Sequence, residues 1–82
     1  MKIGSRLKAL RKERRETQLQ VAQAVGMGDR HYQRVENDEG LPGLEIFSAL
    51  ADHFGVSMDY LAGRTDRRDV WKRAQSGQGG RP

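Results

Sequence analysis

The sequence lacks cysteine altogether, which excludes disulfide bonds and thiolate metal sites. Aromatic residues make up only 6% of it, and no aromatic-rich sheet for RNA binding is recognisable. No apolar run approaches the ~18 residues of a membrane span. The charged first residues have no apolar stretch behind them, so no secretory signal is recognised. We therefore expect a cytoplasmic protein without membrane contact.

Motifs for catalysis are also missing. His31 and His53 do not form an HExxH pattern, and neither a G-x-S-x-G motif nor a P-loop occurs. The glycines between positions 77 and 80 follow no strand pattern, so they do not form a phosphate-binding loop. We expect a protein that is not an enzyme and that uses neither a cofactor nor a metal ion.

Helical periodicity runs through the sequence, without strand-like alternation. Ile3 and Leu7 share one face of a first helix, while Thr17 is a good N-cap and Gly26 a good stop for a second. The patterns predict an all-α fold with five helices, over residues 3–15, 17–26, 29–37, 44–54 and a short one between 57 and 63. The apolar residues expected to face inward from the fourth helix are Leu44, Phe47, Leu50, Ala51 and Phe54.

The chain divides into a domain over residues 1–65 and a basic, glycine-rich C-terminal tail over residues 66–82. Asp66 is a suitable N-cap for a sixth, weaker helix containing Val70 and Trp71. The rest of the tail has the composition of a disordered segment or a mobile arm. Its basic residues either reach DNA or only keep the chain soluble.

Charge is segregated along the chain, whose net charge is +4. Residues 1–34 carry nine Lys or Arg and three acids, residues 35–66 one Arg and seven acids, and residues 67–82 five Lys or Arg and one acid. This pattern predicts one basic face and one acidic face, and a basic face suits a polyanion such as nucleic acid. A solvated charged surface without a partner is the alternative.

The stretch from 17 to 37 is the most informative. It predicts two short helices joined by a turn at residues 26–28, the second with Tyr32 and Val35 inward and a polar, arginine-bearing face outward. Two short helices packed at a steep angle, with such a face on the second, are the arrangement that places side chains in the DNA major groove.

Several motifs in one order and spacing resemble the lambda-repressor/Cro-type helix-turn-helix domains, also called the xenobiotic-response-element-like family. The resemblance covers about four fifths of the chain. It implies a five-helix fold, bacterial or phage origin, and sequence-specific binding of double-stranded DNA, usually by a dimer that represses transcription. The motifs are L-x-x-L-R from Leu7, T-Q-x-x-V-A from Thr17, V-G from Val25, V-E-N from Val35, P-x-L-E from Pro42 and F-G-V-S-M-D-Y-L-A-G-R-T-D from Phe54.

The resemblance also implies roles for individual residues. Gln18 would hydrogen-bond a DNA phosphate, and Asn37 would contact the DNA backbone again. Arg11 and Glu36 would form a partly buried ion pair between the first and third helices. The third helix would read bases through Asp29, Arg30, Gln33 and Arg34.

The chemistry of these side chains fits base reading. Arg30 and Arg34 stand at i and i+4, so both can point from one helix face, and each guanidinium can bind the N7 and O6 of guanine. Gln33 can pair with adenine. Asp29 either accepts from cytosine or makes a capping contact with the helix start, and the second interpretation is favoured.

Three neighbouring residues have other predicted roles. His31 is either solvated or a phosphate contact, and the N-cap residue Thr17 is a further candidate phosphate contact. Tyr32 is expected in the core rather than as a stacking platform for bases.

The chain departs from the family pattern at two helix caps and in one loop. Gly28 and Gly43 stand where a capping Ser or Thr is usual, and glycine supplies no side-chain acceptor. Residues 38–41 form an acidic loop where the family is usually basic. That loop either weakens non-specific DNA binding or, with Leu19 and Leu41, marks a surface that meets another protein.

Members of this family commonly pair around the fifth helix. A two-fold dimer would require a near-palindromic operator with half-sites one DNA turn, ~34 Å, apart. Trp71 either folds onto its own domain or packs across the two-fold axis. The candidate dimer contacts are Met58, Tyr60, Leu61, Val70 and Trp71.

The sequence therefore predicts a transcriptional regulator that acts as a homodimeric repressor on a specific operator. The alternative is an antitoxin-type or other protein-binding module of the same fold, which holds a small protein partner and binds DNA for autoregulation. A third hypothesis is a non-specific architectural binder, whose affinity would be independent of sequence and steeply salt-dependent.

Overall fold

The computed structural model describes residues 2–68, which form five α-helices and contain no strand. The all-α architecture is confirmed, although the first helix ends two residues earlier than predicted. The predicted sixth helix, with Val70 and Trp71, lies outside the described residues. No helix within them is long and apolar enough to cross a membrane. The helices are α1 (Gly4–Glu13), α2 (Gln18–Val25), α3 (Asp29–Glu36), α4 (Leu44–Phe54) and α5 (Met58–Leu61).

Side chains cap the starts of two helices. The Thr17 hydroxyl accepts from the backbone N–H of Gln20 (3.0 Å), and the Gln20 side chain accepts in return from the backbone N–H of Thr17 (2.8 Å). This reciprocal pair is a capping box. The Ser57 hydroxyl caps α5 by accepting from the backbone N–H of Tyr60 (2.9 Å). Gly28 and Gly43 begin α3 and α4 without a side-chain cap, as their lack of an acceptor predicts.

All five described helices end in the same kind of turn. A residue with left-handed backbone follows the helix, and the next backbone N–H donates to the carbonyl five positions earlier. In three helices that residue is a glycine, at positions 26, 55 and 63. In α1 and α3 it is Arg15 (φ 57°) and Asp38 (φ 61°), which adopt a conformation that is sterically costly for residues with a Cβ.

The core lies between the helices, and every helix contributes to it. The prediction that Leu44 faces inward is wrong, since this residue is 75% exposed. Because the Cα–Cβ bonds of a helix tilt toward its N-terminus, the first residue of α4 points past the end of the core. Ile46 and Ala49 pack against the core instead. The largest fully buried side chains are Tyr32, Ile3, Leu7, Leu50, Leu61, Val21 and Val35.

A close backbone contact joins the start of α1 to the end of α3. Gly4 is buried, and a Cβ atom at this position would overlap the carbonyl oxygen of Glu36. The backbone N–H of Gly4 donates to the Asp38 carboxylate (2.9 Å). Asp38 thus satisfies an N–H group that α1 leaves unpaired and lies near the positive end of its dipole. Asp38 of the acidic loop therefore helps to hold the start of α1 against the end of α3, a structural role that the sequence pattern does not indicate.

Gly4→Ala is expected to lower the free energy of unfolding by about 1–3 kcal/mol, because the new methyl group forces α1 away from the end of α3. Urea-induced unfolding followed by circular dichroism measures the change. Gly40→Ala is the matched control, because a Cβ at Gly40 meets no atom within 4 Å. The control should stay within about 0.5 kcal/mol of the wild type. Equal stability of the two variants would contradict the close contact.

Candidate nucleic-acid interface

Helices α2 and α3 form a pair around a tight turn. Gly26 begins the turn with left-handed backbone (φ 79°), and Met27 in its middle is buried in the core. Tyr32 and Val35 anchor the inner face of α3 in the same core. The outer face of α3 is thereby turned to solvent.

The solvent face of α3 carries the residues predicted to read bases. Asp29, Arg30 and Arg34 are exposed, and Gln33 is half-buried. The Gln33 amide nitrogen donates to the Asp29 carboxylate (3.1 Å), which lies one helical turn away. Within residues 2–68, no hydrogen bond or ion pair engages the guanidinium of Arg30 or Arg34. These two arginines are therefore available to an external partner.

The residues predicted to contact phosphates lie at the ends of the two helices. Gln18 is the first residue of α2 and Asn37 is the C-cap of α3. The Gln18 amide nitrogen donates to the carboxylate of Glu36 (3.0 Å), so the start of α2 adjoins the end of α3. Thr17, whose hydroxyl caps α2, lies beside Gln18, whereas His31 is exposed in the first turn of α3.

Four hydrogen bonds converge on Glu36, whose side chain is only 2% exposed. Its Oε2 accepts from Arg11 Nε (2.7 Å) and from the Tyr32 hydroxyl (2.6 Å). Its Oε1 accepts from Arg11 Nη2 (3.0 Å) and from Gln18 Nε2 (3.0 Å). Arg11 Nη1 also donates to the backbone carbonyl of Glu16 (3.1 Å). The structure thus places Arg11 and Glu36 in the expected contact, and adds two partners. We call Arg11, Gln18, Tyr32 and Glu36 the Glu36 network.

The network shifts the pKa values of its members. Burial alone would raise the pKa of Glu36, but the hydrogen bonds from Arg11, Tyr32 and Gln18 outweigh it and hold that pKa below its usual value. Burial, together with the hydrogen bond to Glu36, raises the pKa of the Tyr32 hydroxyl far above its usual value. Tyr32 therefore stays a donor and Glu36 an acceptor at neutral pH.

Comparison with known proteins agrees with this geometry. The Helix-turn-helix family model matches residues 7–61, about two thirds of the chain. The chain belongs to the Cro/C1-type helix-turn-helix family. The resemblance seen in the sequence motifs is therefore confirmed.

Two curated relatives of this helix-turn-helix protein are phage repressors. The cryptic phage CTXphi transcriptional repressor RstR of Vibrio cholerae is 41% identical over 64 residues, which cover 78% of this chain and 57% of the relative. The immunity repressor protein of Bacillus phage phi105 is 33% identical over 63 residues, which cover 77% of this chain and 44% of the relative. The chain thus spans about half the length of these relatives. No solved structure matches it significantly.

The predicted dimer surface around α5 is only partly available in the helix-turn-helix domain. Leu61 is fully buried, so it belongs to the core of its own chain and cannot contact a partner, contrary to the prediction. Met58 and Tyr60 are half-buried. The guanidinium of Arg6 lies 4.3 Å from the centre of the Tyr60 ring, and that of Arg68 lies 5.4 Å from it.

Arg6 holds the segment after α5 against α1, a contact that no motif predicts. Its Nη1 donates to the backbone carbonyls of Tyr60 (2.9 Å) and Thr65 (2.8 Å). Its Nη2 donates to the carboxylate of Asp66 (2.7 Å), the residue predicted to cap a sixth helix. These contacts join positions more than fifty residues apart, which is why the sequence pattern does not reveal them.

Two further contacts between polar side chains lie outside the predicted site. Arg68 binds both carboxylate oxygens of Glu13 (2.8 and 2.7 Å), and this hydrogen bonding lowers the pKa of Glu13. His53 Nε2 lies 2.9 Å from the carboxylate of Glu16 and ties α4 to the α1–α2 turn. Within residues 2–68, no group of three His, Asp or Glu residues could hold a metal ion.

Glu36→Gln is expected to lower the free energy of unfolding at pH 7 by about 3 kcal/mol, because it leaves the largely buried Arg11 without its counter-charge. The folded pKa of Glu36 lies below its unfolded value of about 4.3. Its contribution is therefore complete above the unfolded pKa and is lost as the pH falls through the folded pKa. The stability gap between the two proteins should be constant from pH 7 to 5 and shrink below about pH 4.

Urea-induced unfolding over this pH range measures the gap. Glu39→Gln removes an exposed carboxylate from the α3–α4 loop and serves as the control. That variant should stay within about 0.5 kcal/mol of the wild type throughout. A Glu36→Gln gap of the same size at pH 7 and pH 3 would show that the charge of Glu36 does not stabilise the fold.

Proposed function

We propose that this chain binds DNA sequence-specifically and represses transcription as a homodimer, with α3 in the major groove of a near-palindromic operator. The observation that carries the proposal is the pair Arg30 and Arg34. They stand one turn apart on the exposed face of α3, and no residue in the described part of the chain neutralises them. The two relatives, a transcriptional repressor and an immunity repressor, support the same function.

The side chains of α3 suit direct base reading. Arg30 and Arg34 each present two donors that match the N7 and O6 of guanine. Gln33 reads adenine when its amide turns away from Asp29, whose carboxylate it binds in the absence of DNA. Asp29 then either accepts from cytosine or stabilises the start of α3, where its charge favours the helix dipole.

Phosphate contacts on either side would fix α3 in the groove. Gln18 and Thr17 lie at the start of α2, where backbone N–H groups favour an anion. Asn37 lies at the adjoining end of α3, and His31 is exposed in its first turn. Such contacts set the register on the duplex, while the base-reading side chains set the sequence.

A homodimer would present two copies of α3 about one DNA turn, ~34 Å, apart. Met58 and Tyr60 on α5 are the described residues proposed to form the contact between protomers, since both are only half-buried in the single chain. A two-fold contact of this kind makes the two half-sites of the operator inverted copies of each other.

Selection from random DNA at about 150 mM salt is the decisive experiment. Wild type should enrich a near-palindromic site, and Arg34→Ala should bind that site about tenfold or more weakly and relax one position in each half-site. The matched control is Arg64→Ala, which removes the same charge from an exposed position after α5. That variant should enrich the wild-type site.

Other outcomes would reject parts of the proposal. No enriched sequence for the wild type would reject a sequence-specific regulator and favour a protein-binding module. An enriched site without inverted symmetry would reject the homodimer. Equal relaxation by Arg34→Ala and Arg64→Ala would show that α3 contributes only charge.

A further inference from the structure

Core packing accounts for the ring of Tyr32 but not for its buried hydroxyl. The ring is fully buried on the inner face of α3, where a phenylalanine ring would fill the same space. A buried hydroxyl is unfavourable unless it is hydrogen-bonded, and this one donates to Glu36 in the shortest hydrogen bond of the network (2.6 Å). We propose that Tyr32 is a positioning residue that acts through Glu36 to orient Gln18 for a DNA phosphate, an inference that depends on the function proposed above.

The first step is the orientation of the Glu36 carboxylate. A carboxylate offers about four acceptor positions, and in Glu36 all of them are used. Arg11 binds both oxygens, but Tyr32 binds only Oε2 and Gln18 only Oε1. The two oxygens of a carboxylate are chemically equivalent, so the Tyr32 hydroxyl acts together with Arg11 by fixing the rotation of the carboxylate plane, which leaves one oxygen beside Gln18.

The second step is the orientation of the Gln18 amide. Because a carboxylate only accepts hydrogen bonds, Gln18 must turn its amide nitrogen toward Glu36, and its oxygen points away. One amide N–H is used in this bond, and the other is left for an anion. Gln18 is half-buried at the first position of α2, where the helix N-terminus also favours a phosphate. The core of α3 thus orients a donor on α2.

A double-mutant cycle tests this role. Tyr32→Phe keeps the ring and removes the hydroxyl, so affinity for the selected operator should fall about threefold to tenfold, the range for one lost hydrogen bond. Gln18→Ala should weaken binding as well. Adding Tyr32→Phe to Gln18→Ala should cause no further loss, because the orientation of an absent side chain has no effect. Fluorescence anisotropy at one fixed salt concentration measures all four proteins.

Val56→Ala is the control for a general loss of stability. It removes methyl groups from a buried position after α4 and leaves every donor and acceptor of the Glu36 network in place. Both Tyr32→Phe and Val56→Ala should remain folded at the assay temperature by circular dichroism, and only Tyr32→Phe should lose operator affinity. Equal losses of affinity in the two variants would overturn the proposal.

The side-chain amide protons of Gln18 give a readout without DNA. Their NMR signals, identified by their absence in Gln18→Ala, should be well resolved in the wild type and shift toward those of a free glutamine in Tyr32→Phe. Unchanged signals would overturn the positioning role. Specific binding by the wild type with equal Tyr32→Phe losses in both backgrounds would also overturn this role alone. Failure of the wild type to select any operator would reject the proposed function and this role together.

Discussion

Four hydrogen bonds to the buried carboxylate of Glu36 hold three helices in one arrangement. Arg11 comes from α1, Gln18 from α2 and Tyr32 from α3 itself, so a single side chain ties these three helices together. A buried ion pair adds little net stability compared with apolar packing, but removing one member of it is expensive. The network therefore matters most for specificity of the fold, because any other packing of α1 against α3 leaves a charge buried and unpaired.

The arginines discussed above fall into two classes, those with partners inside the described part of the domain and those without. Arg11 is largely buried and fully committed to internal partners, and Arg6 and Arg68 close the segment after α5 onto α1. Arg30 and Arg34 have no such partner in the described part of the chain. Net charge alone does not distinguish these two groups. Of these arginines, only Arg30 and Arg34 can bind a ligand without giving up a contact that stabilises the fold. The placement of internal acceptors decides which arginines are held within the domain and which stay available to a ligand.

The sequence predicts structural features that depend on neighbouring residues, but not those that depend on contacts between distant residues. Thr17 and Gly26 act on backbone groups within a few residues, so the ends of α2 could be read directly. The left-handed backbone of Asp38 could not be read in this way, because non-glycine residues seldom adopt it and its side chain is held here by the distant N–H of Gly4. Leu44 fits the apolar periodicity of α4 but lies beyond the core. Helical periodicity shows which face of a helix is buried, but it does not show where along the helix the core ends. The Arg11–Glu36 ion pair was predicted from the family motifs, whereas the hydrogen bond from the Tyr32 hydroxyl to Glu36 was not.

The acidic loop after α3 illustrates why charge in the sequence is a poor guide to the electrostatic field at the proposed DNA-binding surface. Its first acid, Asp38, accepts from the start of α1, and the Glu36 carbonyl lies against the same turn. The positive end of the α1 dipole therefore meets the negative end of α3, and each offsets the other. The negative charge of Asp38 is partly offset by the N–H of Gly4 and by the start of α1. The two helix ends can approach so closely because position 4 is a glycine. An acidic residue beside the proposed site is thus compatible with binding a polyanion.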